Sequence, residues 1–184
     1  MIAPPAPIVT ERLVIRPWTD DDVDALSEAV TASIEHLRPW MKWAAHEPLT
    51  REERLGVIAR FREGWEAGDD FTMGIFIDGT AIGGTGLHPR IGAGGVEIGY
   101  WIHVDHSGRG YATEVAGALA RVALALDGIE RVEIHHDIAN VASGRIPAKL
   151  GFTRTEERRR DIAAPGESGV EWVWTLRLSA PRTT

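Results

Sequence analysis

The sequence predicts an α/β protein with a mixed sheet of about seven strands flanked by helices. Its length of 184 residues suits one domain, and 43% hydrophobic with 26% charged residues is an ordinary globular composition. Stretches in which apolar and polar residues alternate predict strands, and apolar residues three and four positions apart predict helices. In chain order these patterns give one strand, three helices, three strands, a helix, a strand, a helix and two strands.

The N-terminal part is predicted to contain a flexible tail, one strand and three helices. Residues 1–7 contain three prolines, so the ordered domain is expected over residues 8–180. Alternating apolar residues predict the first strand over residues 10–18. Two of the helices begin at a threonine followed by acidic residues, which is typical of a helix N-terminus. The three helices are expected at 19–30, within 31–48 and at 50–68.

After residue 70 the hydrophobic period becomes that of strands. Residues 71–77 and 81–88 flank the dipeptide Asp78-Gly79, which predicts a β-hairpin. The stretch 111–126 is mostly Ala, Val and Leu, and it predicts a helix that is buried on several sides. The remaining predicted elements are strands at 96–104, 130–138, 152–160 and 170–178, and a short helix that begins at Asn140.

Composition and charge exclude several classes of function. The formal net charge of −7 disfavours stable nucleic-acid binding, because an acidic protein repels phosphate backbones. The absence of cysteine excludes disulfides, thiol nucleophiles and zinc sites with Cys ligands. No apolar run approaches the ~20 residues that span a bilayer, and the N-terminus lacks the features of a secretory signal. We therefore expect a cytoplasmic protein that binds no membrane.

The most informative segment is the polar turn at residues 106–112, which precedes the long predicted helix. Gly108 and Gly110 allow backbone N–H groups to approach an anion closely, and the N-terminus of the helix adds a partial positive charge. Arg109 can add a charge-assisted contact. These features indicate a pyrophosphate site, and a turn that needs glycine only for its shape is the alternative. The turn lacks the Gly-Lys-Ser/Thr ending of a Walker loop.

The segment EIGYWIHVDHSGRGYATE (97–114) resembles motif A of the GNAT N-acetyltransferases, and more narrowly of the RimJ/RimL-type ribosomal-protein N-acetyltransferases. Three further segments resemble the same family, and the resemblance covers about residues 9–178. One departure is Ser107, where the family's turn usually opens with Gln or Arg; a side-chain contact to the pyrophosphate is thereby lost, and Arg109 could partly replace it. The three further segments are ERLVIRP, LRPWMKW and DIANVASGRIPAKLGF.

The resemblance implies a mixed, mostly antiparallel sheet whose fourth and fifth strands splay apart, with acetyl-CoA as the donor in the gap. Backbone groups around His103 and Val104 would then hydrogen-bond the pantetheine arm, and an N–H there could polarise the thioester carbonyl. The side chain of Val104 is expected in the strand core. The residues expected to bind the pyrophosphate are Gly108, Arg109, Gly110, Tyr111, Ala112 and Thr113.

The resemblance also implies roles for two residues at the start of the short helix. Asn140 would bond the pantetheine arm, and Ser143 would lie near the CoA sulfur, where its hydroxyl could stabilise or protonate the leaving thiolate. From the residues alone, Asn140 could equally serve only as a helix cap. No metal site is expected, because the adjacent His135 and His136 face opposite sides of a strand.

Acetyl transfer needs a neutral amine, and Glu97 is the best candidate for the base that removes its proton. It lies on the strand face that points away from the buried row, in the stretch that resembles the family's acidic position. A solvated strand glutamate is the alternative. Because histidine titrates near neutral pH, His103, His135 and His136 remain candidates for the base.

The sequence is therefore interpreted as an N-acetyltransferase in which the amine attacks acetyl-CoA directly in a ternary complex. The expected acceptor is a protein N-terminal α-amine, by resemblance to the RimJ/RimL enzymes. A small-molecule amine such as a polyamine or an antibiotic is the closest alternative, and a non-catalytic acyl-CoA-sensing domain is an alternative of a different class. Trp40, Trp43 and Trp65 could line the acceptor site, pack in the core or support a homodimer.

Overall fold

The computed structural model describes residues 3–178, and its strands form one eight-stranded mixed sheet. Three short 3₁₀ helices lie at Asp20–Asp22, Lys42–His46 and Val104–His106. The strands are β1 (Ile8–Val9), β2 (Val14–Pro17), β3 (Phe71–Ile77), β4 (Thr80–His88), β5 (Gly95–Ile102), β6 (Arg131–Asp137), β7 (Thr153–Arg159) and β8 (Val170–Arg177). The helices are α1 (Val23–Leu37), α2 (Arg51–Ala67), α3 (Tyr111–Leu124) and α4 (Val141–Lys149).

The sheet has the order β1-β2-β3-β4-β5-β6-β8-β7, with one strand more than the seven expected. The extra strand arises because the region predicted as one strand at 10–18 contributes two short antiparallel strands, β1 and β2. Neighbouring strands are antiparallel everywhere except between β5 and β6. The predicted mixed, mostly antiparallel architecture is therefore confirmed.

The parallel contact between β5 and β6 is short, as the resemblance implies. It joins Gly95 to Arg131, Val96 to Val132 and Glu97 to Glu133, and it continues no further. Beyond Glu97, β5 stays bound to β4 through Ile102, while β6 stays bound to β8 through Asp137. The two strands therefore diverge and leave a gap in the middle of the sheet, which confirms the splayed fourth and fifth strands of the prediction.

The helices position the walls of this gap. Helix α3 is buried through small and branched residues, including Val115, Ala116 and Leu119, in the main hydrophobic cluster. A second cluster joins α1 and α2 to the sheet through Val23, Ile58 and neighbouring residues. Helix α1 is longer than the predicted 19–30, and the short helix expected within 31–48 is the 3₁₀ helix at Lys42–His46.

The domain limits of 8–180 remain a prediction at both ends. Residues 1, 2 and 179–184 lie outside the described part of the chain, and within the proposed tail Pro4 is buried. Among residues 3–178, no helix has the length and hydrophobicity needed to cross a membrane.

Candidate active site

The glycine-rich turn before α3 has the conformation that an anion site requires. Gly108 and Gly110 have positive φ angles of 75° and 83°, in the left-handed region that favours glycine. Within residues 3–178, no group accepts a hydrogen bond from the N–H of Gly108, Arg109 or Gly110. The N–H groups of the first helical turn, at Tyr111–Thr113, have no acceptor within the helix either. Together with the helix dipole, these donors fit the pyrophosphate of an acyl-CoA.

The two backbone N–H groups that were expected to bind the donor, those of His103 and Val104, are both hydrogen-bonded within the protein. The N–H of His103 donates to the carbonyl of Ile82 at 2.8 Å, and the N–H of Val104 donates to Ser33 Oγ at 3.0 Å. Neither N–H is therefore free to polarise a thioester, contrary to the expectation. The side chain of Val104 is 39% exposed, not in a strand core, because β5 ends at Ile102 and a 3₁₀ turn follows.

The edge of β5 that faces the gap belongs to its even-numbered residues. In an antiparallel strand, successive residues direct their N–H and C=O groups to alternate edges. Since His103 bonds toward β4, the even-numbered residues of β5 face β6, and those beyond the last paired residue, Tyr100 and Ile102, face the gap. An extended pantetheine arm in the gap would find these groups, which precede His103 on the strand.

Asn140 and Ser143 lie together at the start of α4, beside the gap. Asn140 Oδ1 accepts a hydrogen bond from the backbone N–H of Ser143 at 3.1 Å, so Asn140 does cap the helix. Among residues 3–178 the Asn140 amide nitrogen has no acceptor, so it can donate to a bound molecule. The Ser143 hydroxyl lies 3.3 Å from the hydroxyl of Tyr100, which also donates to the Ser143 carbonyl at 3.4 Å. Burial raises the pKa of Tyr100 to about 12, against a smaller opposing effect of the hydrogen bond to Ser143.

Glu97 is not the solvated strand glutamate that the alternative required. Its side chain is only 12% exposed, and Arg90 donates two hydrogen bonds to it, at 2.7 and 2.8 Å. Burial acts to raise the pKa of Glu97, but the bond from Arg90 and the nearby His135, Arg90 and His88 outweigh it and lower the pKa. A carboxylate that is held in this way is a weak base, so the geometry disfavours the predicted role.

The three candidate histidines are engaged in structural contacts. His103 Nδ1 accepts from the N–H of Asp105 and thereby caps the following turn. His136 donates from Nδ1 to the carbonyl of Asp137 and accepts at Nε2 from Trp174, and burial is the main reason that its pKa is lowered. In both rings the nitrogen that could accept a proton from a substrate already accepts a hydrogen bond from the protein.

His135 is nearly buried among charged neighbours. Arg158 lies 3.1 Å from its Nδ1, and because a guanidinium only donates, Nδ1 acts as an acceptor. Its Nε2–H then donates to Glu133 at 2.8 Å. Glu97 is 3.6 Å from Nδ1, so His135 belongs to the same polar network as Glu97.

A single cleft of about 700 Å³ connects these residues to an aromatic wall. Ser143, Asn140, Tyr100 and Glu97 line one part of it, and Trp40, Trp43 and Trp101 line another. The rings of Trp43 and Trp101 are 6.1 Å apart at a tilted angle. Trp65 does not contribute to this wall, because it packs edge-on against the buried Phe71 at 5.2 Å.

Three contributors to the site were not identified from the sequence. Tyr100 was given no role of its own, although a buried phenol needs a hydrogen-bond partner and could have indicated one. Arg90 lies in a glycine-rich loop whose pattern gives no sign of Glu97. Arg12 contacts the turn from a position almost a hundred residues earlier in the chain, which no local pattern reveals.

The amide-lined turn and the gap between β5 and β6 define the class of protein: an acyl-CoA-dependent transferase fold. The chain belongs to the GNAT acetyltransferases, since the family model of the acetyltransferase (GNAT) domain matches residues 12–153. It is therefore an acetyl-CoA-dependent N-acetyltransferase, and acetyl-CoA supplies the acetyl group.

Individual relatives are similar over most of the chain. YdaF of Bacillus subtilis (strain 168), a candidate ribosomal N-acetyltransferase, is 27% identical over 86% of this chain and 87% of that protein. The [ribosomal protein uS5]-alanine N-acetyltransferase of Escherichia coli (strain K12) is 28% identical over 82% of this chain and 80% of that protein. The structure of RimL, a ribosomal L7/L12 α-N-protein acetyltransferase in complex with coenzyme A, superposes with a TM-score of 0.83 at 19% identity, over 92% of this chain and 96% of that one.

Proposed function

We propose that this acetyltransferase modifies the N-terminal α-amine of a protein, which binds in the cleft beside Ser143. The observation that carries the proposal is the charge state of the cleft. Five carboxylates line it, and each is already bonded within the protein. A polyamine or an aminoglycoside needs free carboxylates for its several ammonium groups, and this cleft leaves none unbonded among the residues described. The five are Glu47, Glu97, Asp137, Glu167 and Glu171.

The relatives support a protein acceptor. The Escherichia coli relative is named for an alanine of ribosomal protein uS5, and the Bacillus subtilis relative is named for the ribosome. We infer from these names that the acceptor of this chain is also a protein terminus and that the reaction takes place in the cytoplasm. A homodimer stays a prediction.

We propose that the turn and the gap hold the donor while Ser143 serves the leaving group. The N–H groups of residues 108–113 bind the pyrophosphate, and the β5 edge together with the Asn140 amide orients the pantetheine arm. The Ser143 hydroxyl supplies the proton that the departing sulfur takes up, and the proton that the amine nitrogen loses on acylation restores the hydroxyl. Tyr100, whose raised pKa keeps it protonated at neutral pH, holds the Ser143 oxygen in place.

The acceptor amine needs little help from a base in this proposal. An α-amine has a pKa of about 8, so roughly a tenth of it is neutral at pH 7, whereas a lysine amine has a pKa of about 10.4. Because Arg90 holds Glu97, Glu97 is a weak base. An α-amine can react without a strong base, whereas a lysine amine would need one. Acceptor and donor are bound together, and the amine attacks the acetyl carbon directly.

The test is acetylation of a peptide panel with tandem mass spectrometry to locate the acetyl group. Each peptide carries a free N-terminus and one internal lysine, and its matched control has the same sequence with a formylated N-terminus. Spermidine and an aminoglycoside complete the panel. We expect acetyl on the α-nitrogen of free peptides and no turnover of the formylated ones. Turnover of the small amines alone would contradict the proposal, and CoA binding without turnover of any amine would indicate a sensing domain.

A further inference from the structure

Arg12 reaches from the connection between β1 and β2 to the turn before α3. Its Nη1 donates to the carbonyl of Arg109 at 3.2 Å, and its guanidinium carbon lies 4.5 Å from the centre of the Tyr111 ring. A Cβ placed on Gly110 would lie 3.6 Å from Nη2 of Arg12. One side chain thus contacts Arg109 and Tyr111 and lies beside Gly110 between them.

Glu114, in the first turn of α3, fixes the position of Arg12. Its Oε2 accepts from Nε of Arg12 at 2.7 Å and lies 2.6 Å from Nη2. Its Oε1 accepts from the Thr10 hydroxyl at 2.6 Å and from the backbone N–H of Arg12 at 3.0 Å. Both carboxylate oxygens are therefore occupied, and the guanidinium has little freedom to move away from the turn.

The bond to the Arg109 carbonyl also determines where the next N–H points. In a trans peptide the C=O of one residue and the N–H of the following residue point in opposite directions. When Arg12 holds the Arg109 carbonyl outward, the N–H of Gly110 is directed to the other side, where it has no acceptor within residues 3–178.

We propose that Arg12 is a positioning residue for donor binding: it holds the Arg109–Gly110 peptide plane so that the Gly110 N–H faces the pyrophosphate. The inference rests on the turn as the pyrophosphate site. Arg12 acts through geometry, because Glu114 already neutralises its charge. Lysine could keep the contact with Glu114, but its single ammonium lacks the fork that reaches the carboxylate and the carbonyl together.

The experiment compares the binding of CoA and of pantetheine, which lacks the pyrophosphate. Calorimetry measures the Kd of CoA, and a chemical-shift titration measures that of pantetheine, for the wild type and for Arg12→Gln and Arg12→Lys. Arg62→Gln is the matched control, because Arg62 forms one exposed ion pair with Asp20, away from the turn. For both Arg12 variants we expect the Kd of CoA to rise about tenfold, as for the loss of one well-placed hydrogen bond to an anion. The Kd of pantetheine and the behaviour of Arg62→Gln should match the wild type.

Three results would overturn the inference, and they can be told apart. If Arg12→Gln binds CoA like the wild type, Arg12 does not position the turn. If CoA and pantetheine are weakened equally, Arg12 supports the domain as a whole. If the wild type binds CoA no better than pantetheine, the turn is not the pyrophosphate site, and the donor-site assignment fails before Arg12 is considered. Arg12→Lys keeps the contact with Glu114, so it tests the idea even if Arg12→Gln folds poorly.

Discussion

The proposed donor site and the cleft proposed to hold the acceptor are built in different ways. The proposed donor site consists of backbone: two glycines with positive φ, the N–H groups of residues 108–113, and one edge of β5. The cleft proposed for the acceptor is lined by side chains: the Arg90–Glu97 ion pair, the polar network of His135, and the wall of tryptophans. Backbone donors would bind CoA, which is the same for every acceptor, whereas the side chains of the cleft can be substituted when the acceptor is different. The comparison predicts that substitutions on the two sides affect different steps.

The largest expected effect is that of Ser143→Ala on turnover. The loss of a positioned proton donor should lower kcat about a hundredfold, while the Kd of CoA stays within a factor of two or so of the wild type. Val141→Ala, at an exposed position on the same helix, is the control. Steady-state kinetics and calorimetry together make the measurement. Equal losses in kcat and in CoA binding would make Ser143 a binding residue only.

Gly110→Ala should weaken CoA binding and leave turnover unchanged, which is the opposite of the effect of Ser143→Ala. A left-handed residue other than glycine costs roughly 1–2 kcal/mol, which corresponds to about a tenfold rise in the Kd of CoA if the turn relaxes to avoid the strain. Turnover at saturating acetyl-CoA should be unchanged. Gly128→Ala is a close control, because Gly128 has a similar φ of 80° and free space around it but lies at the far end of α3. If both variants bind CoA equally well, the turn does not hold the pyrophosphate.

Glu97→Gln should have a smaller effect than either. If Glu97 acts by anchoring Arg90 and not as the base, kcat should fall less than about tenfold. The pH dependence of kcat/KM should still rise to a plateau near the pKa of the acceptor amine, about 8. A profile recorded from pH 6 to pH 9 measures this. A hundredfold loss together with disappearance of the rising limb would restore Glu97 as the base.

The smallest effect on catalysis is expected outside the cleft, at Asp22. The hydrogen bond from Arg16 is the main reason that the pKa of Asp22 is lowered to about 2 in the folded state. Since the unfolded value is about 3.9, this stabilisation is complete above about pH 4 and is lost as the pH falls toward 2. Asp22→Asn should remove this part of the acid dependence of the free energy of unfolding and leave kcat unchanged. Urea unfolding between pH 2 and pH 5 measures it, and an identical acid dependence in the variant would contradict the assignment.

The same contrast explains what could be predicted from the sequence. The turn at 108–113 and the splayed strands were predicted, because glycine spacing, strand alternation and the family resemblance are all local in the chain. The partners of Glu97 and of Ser143 were not predicted, since Arg90 lies in an irregular loop and Tyr100 lies on a strand 43 positions before Ser143. The predicted N–H donors at His103 and Val104 were wrong for a similar reason. Their acceptors, Ile82 and Ser33, are fixed only by the packing of β4 and α1.

Residue-resolved amide hydrogen exchange with and without CoA locates the donor on the protein. We expect slower exchange on CoA binding at the N–H groups of residues 108–113 and at Tyr100 and Ile102, which face the gap. The N–H groups of His103 and Val104, already bonded within the protein, should change little. Protection at other residues, with none at the turn or the gap, would contradict the proposed CoA-binding site.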